Sequence, residues 1–203
     1  MKLCLVILFS ALAATLAGCA THSPGRAVKT VKAAATTAFT DKSLYQLDSV
    51  WTTDENRQMR LSEMSGRPQV VAMFFANCQF ACPIIVNDMK RIDAALPPAL
   101  RARVGFGLVS FDVKRDTPAA MADYRHTRNL PAKRWALLRG KPDDVRELAA
   151  LLGIKYKEDA RGQFAHSNVI TVLNAQGEIV HQQIGLSPDI QETVRLIVQL
   201  AAK

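Results

Sequence analysis

Apolar residues fall along the chain in blocks whose period and punctuation mark the elements. Ser43 to Trp51 and Arg57 to Leu61 read as two short strands around a polar Thr-Thr-Asp-Glu-Asn turn. Gly66-Arg67-Pro68 then punctuates, and Gln69 to Phe75 is an unbroken apolar run, the pattern of a strand covered on both faces. From Pro83 to Leu96, apolar Ile84, Ile85, Met89, Ile92 and Leu96 recur at steps that predict a helix, stopped by Pro97-Pro98. Val104 to Phe111 is a second apolar strand. Thr117-Pro118 supplies an N-cap and a first helical residue for a helix to about Arg128. Trp135 to Leu138 is a third strand, and Pro142-Asp143-Asp144 opens a helix closed by Gly153. Asn168–Leu173 and Glu178–Ile184 flank an Asn-Ala-Gln-Gly turn, a hairpin signal. Ser187-Pro188 is expected to cap a last helix with Ile190, Val194, Ile197, Val198 and Ala201 on one apolar face.

Strands alternating with helices, then a hairpin and a final helix, predict an α/β class with parallel crossovers and an antiparallel end. The order resembles a thioredoxin-like fold with an N-terminal β-hairpin and an inserted strand–helix pair. The expectation is one domain over residues 41–203, a central mixed sheet flanked by helices.

The N-terminus changes the picture of compartment. Lys2, an apolar run from Leu3 to Ala17 and small residues ending in Cys19 form a secretory leader, too short for a spanning helix. Leu16-Ala17-Gly18-Cys19 resembles the lipobox of bacterial lipoproteins. That implies a signal peptide over residues 1–18 and lipid on Cys19. Residues 19–40 are small, polar and basic, a tether reaching on the order of 25 Å. The expected place is a bacterial cell membrane or outer membrane, facing the periplasm or exterior. Ala20 lacks the aspartate that commonly retains such proteins at the inner membrane. The net charge of +8 suits anionic headgroups or an acidic partner; export excludes nucleic acid.

Cysteine chemistry follows. Of four cysteines, Cys4 leaves with the leader and Cys19 is acylated, so Cys78 and Cys82 remain. A domain of this size needs no staple, and a loop this short yields little chain entropy, so a structural disulfide is the weak reading. Pro83 favours the first helical position, which places Cys82 at or near an N-cap and Cys78 on the loop above it. There the helix dipole lowers a thiol pKa, at the strand ends where open α/β sheets carry sites. Two soft thiolates on an adaptable loop suit Cu(I), which wants a third ligand. Of four histidines, His22 lies in the tether, His126 on a helix and His181 on a hairpin strand. His166 sits in a loop before the strand that, in a thioredoxin-like fold, crosses the cysteine turn.

Taken together, GRPQVVAMFFANCQFACP, SFDVKRDTP, WALLRGKPDDVRELAALLGIKY and HSNVITVLNAQGEIV resemble the SCO/SenC family of copper chaperones for cytochrome c oxidase assembly. The resemblance runs from about Leu44 to Leu200. It implies one copper, Cu(I) or Cu(II), on Cys78, Cys82 and His166, and a reversible Cys78–Cys82 disulfide. It further implies a monomer whose partner is the oxidase subunit carrying the binuclear copper centre. Asp112 and Asp116 match family acidic positions; Asp116 is expected to order a loop or cap a helix rather than bind metal. Trp51 is expected in the core.

The chain departs from the family at three places. Gln79-Phe80 stands where Pro-Asp is usual, Ala165 where an acid usually precedes the histidine, and a lipid where many relatives use a spanning helix. The first reading is a metallochaperone working by ligand exchange, not an enzyme. The rivals are a thiol–disulfide oxidoreductase or redox sensor, which would not require His166, and, more weakly, a peroxidase.

Overall fold

A computed structural model describes residues 39–203. The leader, Cys19 and all of the tether before Phe39 lie outside the described residues. Strands β1 (Val50–Thr53) and β2 (Gln58–Arg60) form the N-terminal hairpin, followed by β3 (Gln69–Phe74), helix α1 (Ala81–Ala95) and a short α2 (Pro98–Arg101). Then come β4 (Gly105–Ser110), α3 (Pro118–Arg128), β5 (Trp135–Arg139) and α4 (Pro142–Leu151). A small hairpin, β6 (Tyr156–Glu158) and β7 (Phe164–His166), precedes β8 (Val169–Leu173), β9 (Ile179–Ile184) and α5 (Gln191–Ala201).

Seven strands make one mixed sheet in the order β2-β1-β5-β4-β3-β8-β9. β3, β4 and β5 are parallel neighbours, while β1 and β8 join antiparallel on either side. Every residue of β3, β4 and β8 is buried, which is why those segments read as continuous apolar runs rather than alternating ones. Helices flank this sheet: α1 touches α5, β3 and β8, and Tyr124 of α3 meets Phe74 with ring centroids 5.0 Å apart. Among the described residues, no helix is long and apolar enough to cross a membrane.

Four local expectations need correction. Ser43–Trp51 is not a continuous strand: Ser43 caps a 3-10 turn at Leu44–Gln46 by accepting from the Tyr45 N–H, burying Leu44 and Tyr45. Helix α1 starts at Ala81, with Phe80 as its N-cap, so Cys82 is its second residue and Pro83 its third. Proline is tolerated there because no N–H in the first turn has an intrahelical partner. Ser187 does not cap α5; its N–H donates to Asp88 of α1 at 2.8 Å, and the helix starts at Gln191. His166 is not in a loop but ends β7, in a hairpin whose six paired residues are too few for a clear period-two pattern.

The first described residues meet the β8–β9 turn. The Leu44 N–H donates to Gly177 O at 3.0 Å, and the Thr40 hydroxyl reaches the Glu178 carboxylate. Gln69 pairs with Leu173, so this turn lies at the end of β3 opposite to the cysteine loop.

Trp51 lies in the core, fully buried, with its indole N–H on Ser49 Oγ at 2.9 Å. A Cβ on Gly140 would come within 2.6 Å of its ring, so glycine is needed for this close approach. Trp51→Ala is expected to cost about 3–5 kcal/mol, read as a lowered urea midpoint at unchanged slope. A loss below about 1 kcal/mol would remove Trp51 from the core account.

Candidate metal centre

β3 ends in the core, and the chain turns over Ala76–Phe80 before α1 begins. The Cys78 N–H donates to Phe75 O at 3.2 Å, which folds the turn back on the strand end. Asp116 orders the other side of that turn: it accepts from the Ala76 N–H at 3.0 Å and from the Ser110 hydroxyl. Burial raises the Asp116 pKa, and the carboxylate faces these donors rather than the thiols. Asp112 is buried too, and accepts from the Arg115 backbone N–H at 3.1 Å and from its guanidinium.

Both cysteines are free thiols and both are buried. The Cys82 N–H, in the first turn of α1, donates to Cys78 Sγ at 3.3 Å. Cys82 Sγ lies 3.7 Å from His166 Nε2, and the ligand atoms of Cys78, Cys82 and His166 all fall within 4.8 Å of one another. His166 Nδ1 is 3.1 Å from Ser167 O. A carbonyl only accepts, so Nδ1 carries the proton and Nε2 presents its lone pair toward sulfur. Fixing the tautomer through the other ring nitrogen is how proteins orient a histidine ligand.

The two thiols share protons unequally. The Cys78 pKa falls to about 5, chiefly through the hydrogen bond from the Cys82 thiol, with backbone N–H groups of Cys82 and Phe80 adding to it against burial. The Cys82 pKa rises, first through that same bond and then through burial. One thiolate therefore stands ready at neutral pH beside a neutral thiol and an imidazole nitrogen. Among the described residues the set is soft and three-membered, with no fourth histidine, cysteine or carboxylate in the cluster. That fits low-coordinate Cu(I) better than a closed four-ligand zinc site.

Aromatic rings wall the imidazole. Phe111 lies 5.1 Å and Phe75 6.2 Å from it, centroid to centroid, and Tyr156 stacks on Phe111 at 5.2 Å. On the open side, Phe80 is 83 % exposed between the two cysteines.

The SCO1/SenC family profile matches residues 40–201. The chain belongs to the SCO1/SenC family. A Stutzerimonas stutzeri protein named for copper binding is 24% identical over 144 residues, covering 68% of each chain. The SCO1/SenC family lipoprotein of Bacillus anthracis superposes with a TM-score of 0.70 at 19% identity, over 81% of this chain and 99% of that one. Bradyrhizobium japonicum ScoI, solved with copper bound, gives 0.61 at 18% identity, over 75% and 96%. These structural likenesses establish a shared fold.

In this SCO1/SenC protein the three candidate ligands, scattered over 88 positions between Cys78 and His166, converge at one end of the sheet. Among the described residues the other two histidines do not join them: His126 is exposed on α3, and His181 Nε2 lies 2.9 Å from Thr193 Oγ1; His22 lies outside the described residues. Reading the sequence missed the wall of Phe75, Phe111, Tyr156 and Phe164. It also missed the β6–β7 hairpin, whose only local signal is Asp159-Ala160-Arg161-Gly162 between two aromatic residues.

Proposed function

We propose that this protein is a membrane-anchored metallochaperone that carries one copper ion as cargo on Cys78, Cys82 and His166. Its client, on this reading, is the cytochrome c oxidase subunit that houses the binuclear copper centre. The observation that carries the reading is the convergence of two thiols and an oriented imidazole at one end of the sheet. A client's thiolates attack the three-coordinate ion and displace the donors stepwise. His166 leaves most readily, because its hairpin pairs with itself and not with the main sheet. Family membership and the copper-bound ScoI fold support copper as the cargo. The Leu-Ala-Gly-Cys19 sequence supports the lipid anchor.

A thiol–disulfide oxidoreductase is the second reading, favoured by the low pKa of Cys78. Its thiolate would attack a client disulfide and Cys82 would resolve the mixed disulfide, giving the Cys78–Cys82 disulfide, while the Cys82 proton goes to a departing client thiolate. Copper loading separates the two. The reduced protein is expected to retain one copper per chain after desalting, and the disulfide form none, since it has no thiolate to offer. Equal retention by both forms would sink the chaperone site.

A further inference from the structure

We infer that Arg115 is a positioning residue for His166, a latch that closes the β6–β7 hairpin over the cysteines. The inference rests on His166 being a copper ligand. β6 and β7 form a separate two-stranded sheet, so no strand pairing ties His166 to the seven-stranded sheet. What holds the hairpin down is side-chain contact, and Arg115 supplies its central polar part.

Arg115 sits in the loop after β4, which the rigid sheet presents beside the cysteine turn. Its Nε donates to Asp112, a carboxylate only 1 % exposed, while Nη2 donates to the Gly162 carbonyl at the hairpin tip. The guanidinium carbon lies 5.7 Å from the centroid of Phe164. One planar fork thus joins a buried anchor, the tip backbone and the ring two residues before His166. A lysine, with a single point of charge, cannot span all three.

The hairpin is shaped for this partner. Gly162 has φ +73, and a Cβ there would meet Arg115 Nη1 at 2.7 Å. Phe164 and His166 point to the same face of β7, onto Phe75 and Phe111. Clamping Phe164 from outside therefore fixes how far the imidazole leans over the thiols. The other polar tie from the same loop, Lys114 to Glu158 at 3.0 Å, is largely in solvent and is a weaker restraint.

The test starts with metal-free, reduced protein, so that the latch is read independently of copper. In Arg115→Ala, amides of residues 156–166 should exchange about tenfold faster, while those of β3 and β4 keep wild-type rates. Loaded with Cu(II), the variant should show a weakened and shifted sulfur-to-copper absorption, yet still hold one Cu(I) on its two thiols. Arg115→Lys should fall between wild type and alanine in both measurements. It carries the test alone if the alanine variant does not fold. Hairpin exchange within about twofold of wild type would overturn the latch. Faster exchange with an unchanged Cu(II) spectrum, in a protein whose His166→Ala spectrum collapses, would overturn the positioning role. An unchanged spectrum in His166→Ala itself would instead remove the ligand reading on which the inference stands.

Discussion

His166→Ala is expected to keep one Cu(I) per chain but to lose the sulfur-to-copper absorption of the Cu(II) form. Two thiolates alone hold Cu(I), whereas Cu(II) prefers a larger, tetragonal set with nitrogen donors. Among the described residues, no other histidine, cysteine or carboxylate joins the cluster. Ala165 has no donor, the rings around the imidazole are Phe75, Phe111, Phe164 and, paired with it across the hairpin, Tyr156, and Asp116 is turned toward Ala76 and Ser110. Losing a residue that only hydrogen-bonds to a metal ligand costs about 10–100-fold in metal affinity, so losing the ligand itself should cost Cu(I) at least about tenfold. Chelator competition for Cu(I) and absorption titration for Cu(II) give the two numbers. An unaltered Cu(II) spectrum would take His166 out of the site.

Alkylation of Cys78 in the reduced protein should titrate with a midpoint near pH 5, where a free thiol would titrate near about 8.5. At about pH 5.5 the thiolate fraction exceeds that of a free thiol several-hundredfold, and the lower basicity takes back about 40-fold. The net advantage is on the order of tenfold, scaled by access that does not vary with pH. The midpoint is the firmer readout, because Cys78 is buried. Cys82→Ala removes the main donor to the thiolate and should move it upward. Stability follows the same asymmetry. Between about 5 and 9 the unfolded chain holds a proton on Cys78 that the folded chain has lost, so the reduced protein gains stability as pH rises and loses it as pH falls through about 5. Cys82 acts oppositely above its unfolded value near 9.0. A midpoint above 8 would mean that Cys78 is not the thiolate of the pair.

The sheet was legible wherever burial on both faces left long apolar runs, as in Gln69–Phe74, Gly105–Ser110 and Val169–Leu173. Legibility failed where a side chain overrode the local pattern. Ser43 turns an apparent strand into a capped 3-10 turn, and Asp88 captures Ser187 from across 99 positions. The cysteine pair was visible because its position between a buried run and a proline is local information. His166 was placed near the pair through the fold, but its strand was not foreseen, because three-residue strands of mixed polarity carry no period. The aromatic wall and the Arg115 fork are products of tertiary contact among residues 75, 111, 115, 156 and 164. No spacing along the chain encodes them.

The contact between residues 40–44 and the β8–β9 turn has a consequence for reach. β3 advances roughly 20 Å from that turn to the cysteine loop, so on the proposed lipid anchor at Cys19 the rigid sheet acts like the jib of a crane, holding the cargo well away from the point where the described chain begins. On the same proposal, a client whose acceptor cysteines lie flush with the headgroups would be served only when the domain lies down. One that raises them above the surface would be met by an upright domain, at a distance that shortening or lengthening residues 20–38 is expected to reset.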